Sequence, residues 1–312
     1  IGQLEVISMD HAIETERLTC RYGRTRAVAD LTMHVPTGSI YALLGPNGAG
    51  KTTTLKTLIN LRQPTSGVAR VLGVDSRALG PADLARIGYV SENQRIPSNL
   101  TIGEIEAFCR PWYPTWDAAL ANELRERFGL DPRARIKSLS RGTRLKVHCL
   151  LALAPRPRLL ILDEPFSGLD PVVRDDLTTG VLSLADRDGW SVLLTSHEMD
   201  DVERLADHVG FLANGSLLVE EPMQTLLARF RRVEVALADG SAVPGQRPPS
   251  WLGFAVDGRA ARFVESQASP AAEAAWHDAW PGASIDAQPM SLREVFVALT
   301  RAGAAAATGA GR

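Results

Sequence analysis

The sequence predicts an α/β fold: a mixed-sheet core carrying a helical insertion, followed by a small C-terminal α+β domain. Three observations lead there. Short β-type runs alternate with longer helical patterns from about residue 13 to 230, the order expected of a largely parallel sheet with crossover helices. Four of these runs lead directly into polar or glycine-rich residues, and one, Leu159–Leu162, is apolar throughout like a strand buried on both faces; in open parallel sheets ligands sit at such strand ends. After Arg229-Phe230-Arg231-Arg232 the texture changes, which places a domain boundary near residue 231.

The expected strands of the core are Ser39–Leu44, Ile87–Val90, Leu159–Leu162 and Ser191–Thr195. Residues 1–12 are read as a lead that precedes the domain, and 13–230 as the domain itself. Between Asn99 and Arg135 the pattern turns helical, interrupted by Pro111-Trp112-Tyr113-Pro114-Thr115-Trp116, so a helical subdomain is expected over about 95–150. Phe211 to Leu218 is two apolar runs around Asn214-Gly215, the favoured turn of a tight hairpin. In 231–312, Val233–Leu237 alternates like a strand and Ser291–Thr300 has helical spacing, with a flexible Gly/Ala tail behind it.

Composition narrows the function classes. A 45% apolar content and a net charge of −2 with interspersed signs give no basic stripe of the kind nucleic acid requires, so no nucleic-acid partner is expected. Cys20, Cys109 and Cys149 are odd in number and far apart, which argues against both a disulfide framework and a zinc site. The best apolar stretch, Val147–Ala154, contains His148 and runs into Pro155-Arg156-Pro157-Arg158, too short to cross a bilayer. Any membrane function has to be borrowed from another chain.

Gly45-Pro46-Asn47-Gly48-Ala49-Gly50-Lys51-Thr52 fits G-x-x-x-x-G-K-[ST] between a strand and an amphipathic helix supported by Leu55, Leu58 and Ile59. Such a loop turns backbone N–H groups onto phosphates, and the positive end of the following helix holds their charge. Lys51 is then a ligand of the β and γ phosphates of a nucleoside triphosphate, and Thr52 offers its hydroxyl to Mg²⁺. The run Leu159 to Glu164 is an apolar strand ending in two carboxylates. Asp163 at its tip is placed to hold Mg²⁺, directly or through water, and Glu164 to orient or deprotonate the water that attacks the γ phosphate.

With these two motifs, three further elements in the right order make the chain resemble the ABC (ATP-binding cassette) ATPases, P-loop NTPases, over roughly residues 13 to 230. Ser167-Gly168-Leu169-Asp170 resembles that family's D-loop, His197 its switch histidine, and Leu139-Ser140-Arg141-Gly142-Thr143 its signature motif. The resemblance implies that Gly45, Asn47, Gly48, Gly50, Lys51, Thr52 and Thr53 surround ATP, with Mg²⁺ at Thr52 and Asp163. It implies that Glu164 and His197 are catalytic, and that Ser140, Gly142 and Asp170 complete a site on a second cassette subunit, identical or not. Tyr22 occupies the place of the aromatic that stacks on adenine; a buried core tyrosine is the competing reading.

Two departures from the family pattern stand out. Arg141 and Thr143 replace Gly and Gln of the usual signature, and Glu92, with Gln94 two residues on, stands where the Q-loop glutamine is common. The resemblance further implies a separate integral membrane permease, contacted near Phe108, Trp112, Tyr113 and Trp116, although half or more of these aromatics are also expected to pack in the helical subdomain. A single cassette with a short extension is most similar to bacterial export-type ATPases, located on the cytoplasmic face of the inner membrane. The alternative from another class is a soluble ABC ATPase acting on ribosomes or DNA. The segment 231–312 carries no clustered carboxylates or glycine-rich loop and is expected to take no part in nucleotide chemistry.

Overall fold

The computed structural model describes residues 10–91, 94–165, 167–170, 173–175, 177–181, 189–200, 202–237 and 247–309, with 304–309 described by their helical backbone alone. The chain forms two compact units. The first comprises Ile1–Glu198 and Leu205–Glu220, the second Met199–Arg204 and Glu221–Arg312.

The first unit opens with two long strands, β1 (His11–Tyr22) and β2 (Thr25–Pro36), before β3 (Ile40–Leu44) and the helix α1 (Lys51–Leu58). Next come β4 (Ser66–Val71), β5 (Val74–Asp75), the short helix α2 (Pro81–Leu84) and β6 (Ile87–Ser91). Three helices follow: α3 (Ile102–Cys109), α4 (Ala118–Phe128) and α5 (Arg141–Leu153). The unit continues with β7 (Leu159–Asp163), β8 (Ser191–Ser196), β9 (His208–Ala213) and β10 (Ser216–Pro222).

The core is a six-stranded sheet in the order β10-β9-β3-β8-β7-β6. Its centre is parallel: β3 pairs with β8 and β9, and β7 with β6 and β8. Leu159, Leu160, Ile161 and Leu162 are all buried, as the unbroken apolar run requires of a strand covered on both faces. The β9–β10 hairpin turns at Asn214 (φ 51°) and Gly215 (φ 81°), both left-handed, which is the type I′ geometry expected of Asn-Gly.

A second, antiparallel sheet, β2-β1-β4-β5, was not foreseen from the sequence. Its strands read poorly because β1 and β2 are repeatedly out of register, with left-handed Arg17 (φ 44°) and Asp30 (φ 50°) interrupting the period-two pattern. Ile13, Leu18, Leu31, Met33 and Val35 are nevertheless fully buried, and they close the core around α1.

Between β6 and β7 the chain forms α3, α4 and α5, each with a cap written in the sequence. Thr101 and Glu104 form a reciprocal capping box, Asp117 accepts from Ala119 and Leu120 N–H, and Ser140 accepts from Thr143 N–H. Glu106 is buried and paired with Arg125 at 2.7 Å. Tyr113 and Trp116 are half-buried here, whereas Phe108 and Trp112 are 62% and 71% exposed.

The second unit is an antiparallel sheet of β11 (Arg231–Ala236), β12 (Trp251–Asp257), β13 (Ala260–Glu265) and β14 (Ser284–Pro289), in the order β12-β13-β11-β14. The helix Pro270–Ala279 buries Trp276 against Phe263, ring edge to face, and Trp280 stacks 5.3 Å from Trp251. The last helix runs from Leu292 to Gly309, so the Gly/Ala stretch expected to be a flexible tail continues as helix. Alanine is the strongest helix former, and a run of it extends a helix that Ser291 and Glu294 have already started.

Candidate nucleotide site

The site forms where β3, β7 and β8 end side by side. The parallel registers set Leu44 beside Ser196 and Asp163 beside Thr195, so the loops after these strands converge on the N-terminus of α1. The loop between β3 and α1 is pressed onto the β9–β10 hairpin: Gly215 N–H donates to the Ala49 carbonyl at 3.0 Å. A Cβ on Gly45 would run into the Leu212 carbonyl, and one on Gly50 into the Ala27 carbonyl, so these two positions require glycine for close approach.

Pro46, Asn47, Gly48, Gly50, Lys51, Thr52 and Thr53 line a cleft of about 420 Å³, together with Ala27, Ser91, Asp163 and Glu164. Lys51 is buried, and its Nζ donates to the Gly45 carbonyl at 2.6 Å and the Pro46 carbonyl at 3.3 Å. The same Nζ lies 2.9 Å from Glu164 Oε1, an ion pair whose angles are not those of a hydrogen bond. His197 Nδ1 lies 2.8 Å from Glu164 Oε2. Glu164 therefore spans the only two cationic or potentially cationic groups seen at it among the described residues, one on each oxygen.

Thr52 Oγ1 donates to Asp163 Oδ1 at 3.0 Å. The pair fits Mg²⁺ by donor chemistry: a hydroxyl and one carboxylate are hard oxygen ligands, and this cation is commonly held by one or two carboxylates plus substrate phosphates. No group of three or more His, Cys, Asp or Glu able to hold a metal occurs among the described residues. The cleft fits a polyphosphate by the same reasoning. Its floor is a helix N-terminus, its wall a buried ammonium, and its rim a glycine-rich loop.

Thr195 was missed by the sequence reading. It is fully buried, its hydroxyl donates to Asp163 Oδ1 at 3.1 Å, and it accepts from Glu164 N–H at 3.1 Å. One hydroxyl thus orients both carboxylate residues. The available signal was a polar residue near the end of an otherwise apolar strand. Tyr89 adds a long contact to Asp163 Oδ2 at 3.5 Å, and burial, ahead of any neighbouring group, pushes its phenol above the ordinary range.

The remaining candidates lie elsewhere. Tyr22 is 50% exposed, against the buried-core reading, with the Arg62 guanidinium 3.6 Å from its ring centre; it is not among the residues lining the cleft. Ser140 and Gly142 stand at the N-terminus of α5, where Ser140 Oγ meets Thr143 Oγ1 at 2.8 Å. Asp170 Oδ1 accepts from Val173 N–H at 3.0 Å. Glu92 lies outside the described residues. Gln94 lines a small cavity of about 70 Å³ with Ser91, Arg141, His148 and Ser167.

Comparison with known proteins agrees with this geometry. A family model described as ABC transporter matches residues 28–167. Over 235 residues the chain is 33% identical to the bacitracin transport ATP-binding protein BcrA of Enterococcus faecalis, covering 74% of this chain and 76% of that one. It is 36% identical over 220 residues to the daunorubicin/doxorubicin resistance ATP-binding protein DrrA of Streptomyces peucetius, covering 67% and 64%. Among solved structures, an ATP binding subunit of an ABC transporter superposes with a TM-score of 0.64 at 27% identity, covering 70% of this chain and 92% of that one.

Proposed function

Because this chain belongs to the ATP-binding cassette family of ABC transporters, we propose that it hydrolyses ATP as the motor subunit of an exporter, with Glu164 as general base. One observation carries the assignment: Glu164 lines the cleft beside Lys51, with one carboxylate oxygen on Lys51 and the other on His197.

The ion pair between Lys51 and Glu164 describes how this chain holds its charges without substrate. A buried ammonium needs an anion, and Glu164 supplies it. When the β and γ phosphates of ATP take over Lys51, the Glu164 carboxylate is released towards water, still oriented by His197. Glu164 then accepts a proton from that water as its oxygen bonds to the γ phosphorus, while the bond to the bridging oxygen breaks and ADP leaves. Thr52 and Asp163 would hold Mg²⁺, which supplies charge neutralisation on the phosphates. Gly45, Asn47, Gly48, Gly50 and Thr53 shape the loop around them, and Tyr22 would meet the adenine.

Ser140, Gly142 and Asp170 are assigned to a second cassette subunit's nucleotide. The support is that Ser140 and Gly142 stand at the N-terminal end of α5 and that none of the three lines the cleft of its own chain. A groove of about 320 Å³ lined by Leu61, Leu84, Tyr89, Gln94, Cys109 and Tyr113 is the proposed seat of an integral membrane permease subunit. Leu61, 68% exposed, and the exposed Phe108 and Trp112 favour it as an apolar docking face. No described helix is long and apolar enough to cross a membrane, so the spanning part belongs to that partner. This would place the protein on the cytoplasmic face of the bacterial inner membrane. Export is the direction favoured by the relatives, which are named for bacitracin transport and drug resistance. The same names disfavour a soluble ATPase acting on ribosomes or DNA.

The test is Glu164→Gln, which keeps shape but cannot take a proton. ATP affinity measured by calorimetry should be retained while turnover falls at least ~100-fold, the lower range for a positioned general base. Near-normal turnover would remove Glu164 from the base role.

A further inference from the structure

We propose that Arg141 is a positioning residue: through Ser167 it ties the N-terminus of α5 to the turn that carries Glu164. The role rests on the reading of Glu164 as base.

Arg141 Nη2 donates to the Ser167 carbonyl at 2.6 Å, and Ser167 N–H donates to the Glu164 carbonyl at 3.3 Å. Glu164 needs such support, because it sits at φ 51°, a left-handed conformation that costs a non-glycine residue energy unless its surroundings impose it. Its N–H is fixed by Thr195 Oγ1, and its carbonyl by Ser167. Arg141 is thus the outer anchor of a turn whose inner anchor is Thr195.

Two close contacts show that the α5 end and this loop are packed as one piece. A Cβ on Gly168 (φ +64°) would fall 2.7 Å from Arg141 Nη1, so the guanidinium lies against bare backbone. A Cβ on Gly142 would fall 2.8 Å from Val173 Cγ1. The placement of Arg141 also has an electrostatic cost. It opens a helix whose first turn holds no acidic residue, where the helix dipole disfavours a cation. A carbonyl acceptor at Ser167 offsets that cost.

The usual signature has glycine at this position, which has no side chain to reach Ser167. In this chain, by contrast, any shift of the signature turn is passed through Ser167 to the backbone of Glu164. Engagement of Ser140 and Gly142 with a second subunit's nucleotide is thereby felt at the base of the chain's own cleft.

The full-length chain is compared with Arg141→Gly and Arg141→Lys by two measurements. Hydrogen exchange of the Ser167 amide, read without nucleotide, should speed up about 10-fold in the glycine variant, the scale of one charge-assisted hydrogen bond, and recover partly with lysine. Turnover should fall about 10-fold through kcat, with KM for ATP unchanged, and recover in the same order. Wild-type exchange at Ser167 with lowered kcat would mean that Arg141 touches the partner's nucleotide directly, and overturns the positioning role. Faster exchange with wild-type kcat overturns it equally. Should Glu164→Gln turn over normally, the base assignment fails, while the exchange result still reports the Arg141–Ser167 link by itself.

Discussion

Two helices of the first unit begin at sites suited to anions, and the chain equips them in opposite ways. At α1, a glycine-rich loop, a buried Lys51, Asp163 and Glu164 enclose a cleft of about 420 Å³, and the charged groups already pair with one another. At α5, Ser140 and Arg141 are exposed, the serine hydroxyl is turned onto Thr143, and the adjoining cavity is only about 70 Å³. The first has the donors and the room to suit a triphosphate. The second is a helix end that lacks a cavity of its own to close, which is how half of a site shared between two subunits should look. The contrast predicts that substitutions at α1 act on ATP affinity and substitutions at the α5 end on turnover.

The largest effect should come from Lys51→Ala, which removes the buried ammonium that meets the phosphates. ATP affinity should weaken at least ~100-fold, as expected for loss of a charge-assisted contact in a buried site. Calorimetry checks it, and an unchanged dissociation constant would break the assignment of the α1 side.

A smaller effect is expected at the other helix. Ser140→Ala should leave ATP affinity of the isolated chain within ~2-fold while lowering turnover about 10-fold, the scale of one hydrogen bond to an anion. It also removes the α5 cap, at a cost of about 1 kcal/mol in stability. Calorimetry and steady-state turnover on one preparation separate these, and a parallel loss of affinity would erase the distinction between the two helix ends.

A third effect falls on stability rather than on nucleotide handling, and it concerns the body of α5. His148 is buried with no partner for Nδ1, and burial, then the charge of Arg144, hold its imidazole at about 4. The unfolded chain protonates a histidine near pH 6.5. Its favourable contribution is therefore intact above that pH and is lost as pH falls towards 4, by up to about 3 kcal/mol. Urea midpoints should drop between pH 7 and 5, and less steeply in His148→Leu. Equal slopes in both proteins would show that His148 is not what the fold keeps neutral.

The α1 side was legible because its signals are local. Gly45 to Thr52 and Leu159 to Glu164 each carry their chemistry within a few residues, and the strand ends bring them together by the rule for parallel sheets. The contacts that complete the site are not local. Thr195 reads as one polar residue in an apolar strand until the β7–β8 register sets it beside Asp163. The Lys51–Glu164 pair likewise needs two loops far apart in sequence. Bulged β1 and β2 were missed because irregular register hides the alternation that marks a strand. The Ala-rich end of the chain was misread for the opposite reason: low complexity suggested a tail where helix propensity carries a helix to Gly309.

With Glu164 in its own cleft and Ser140 at the α5 end, one chain would hold a binding cleft but only half of each catalytic site. Sedimentation of the Glu164→Gln protein with and without ATP tests it most directly, since that variant binds without consuming the nucleotide. The variant should sediment as a single copy without ATP and as a pair with ATP, and the pairing should be lost when Ser140→Ala is added. A chain that saturates with ATP yet stays single, or pairs equally well without it, would contradict the account.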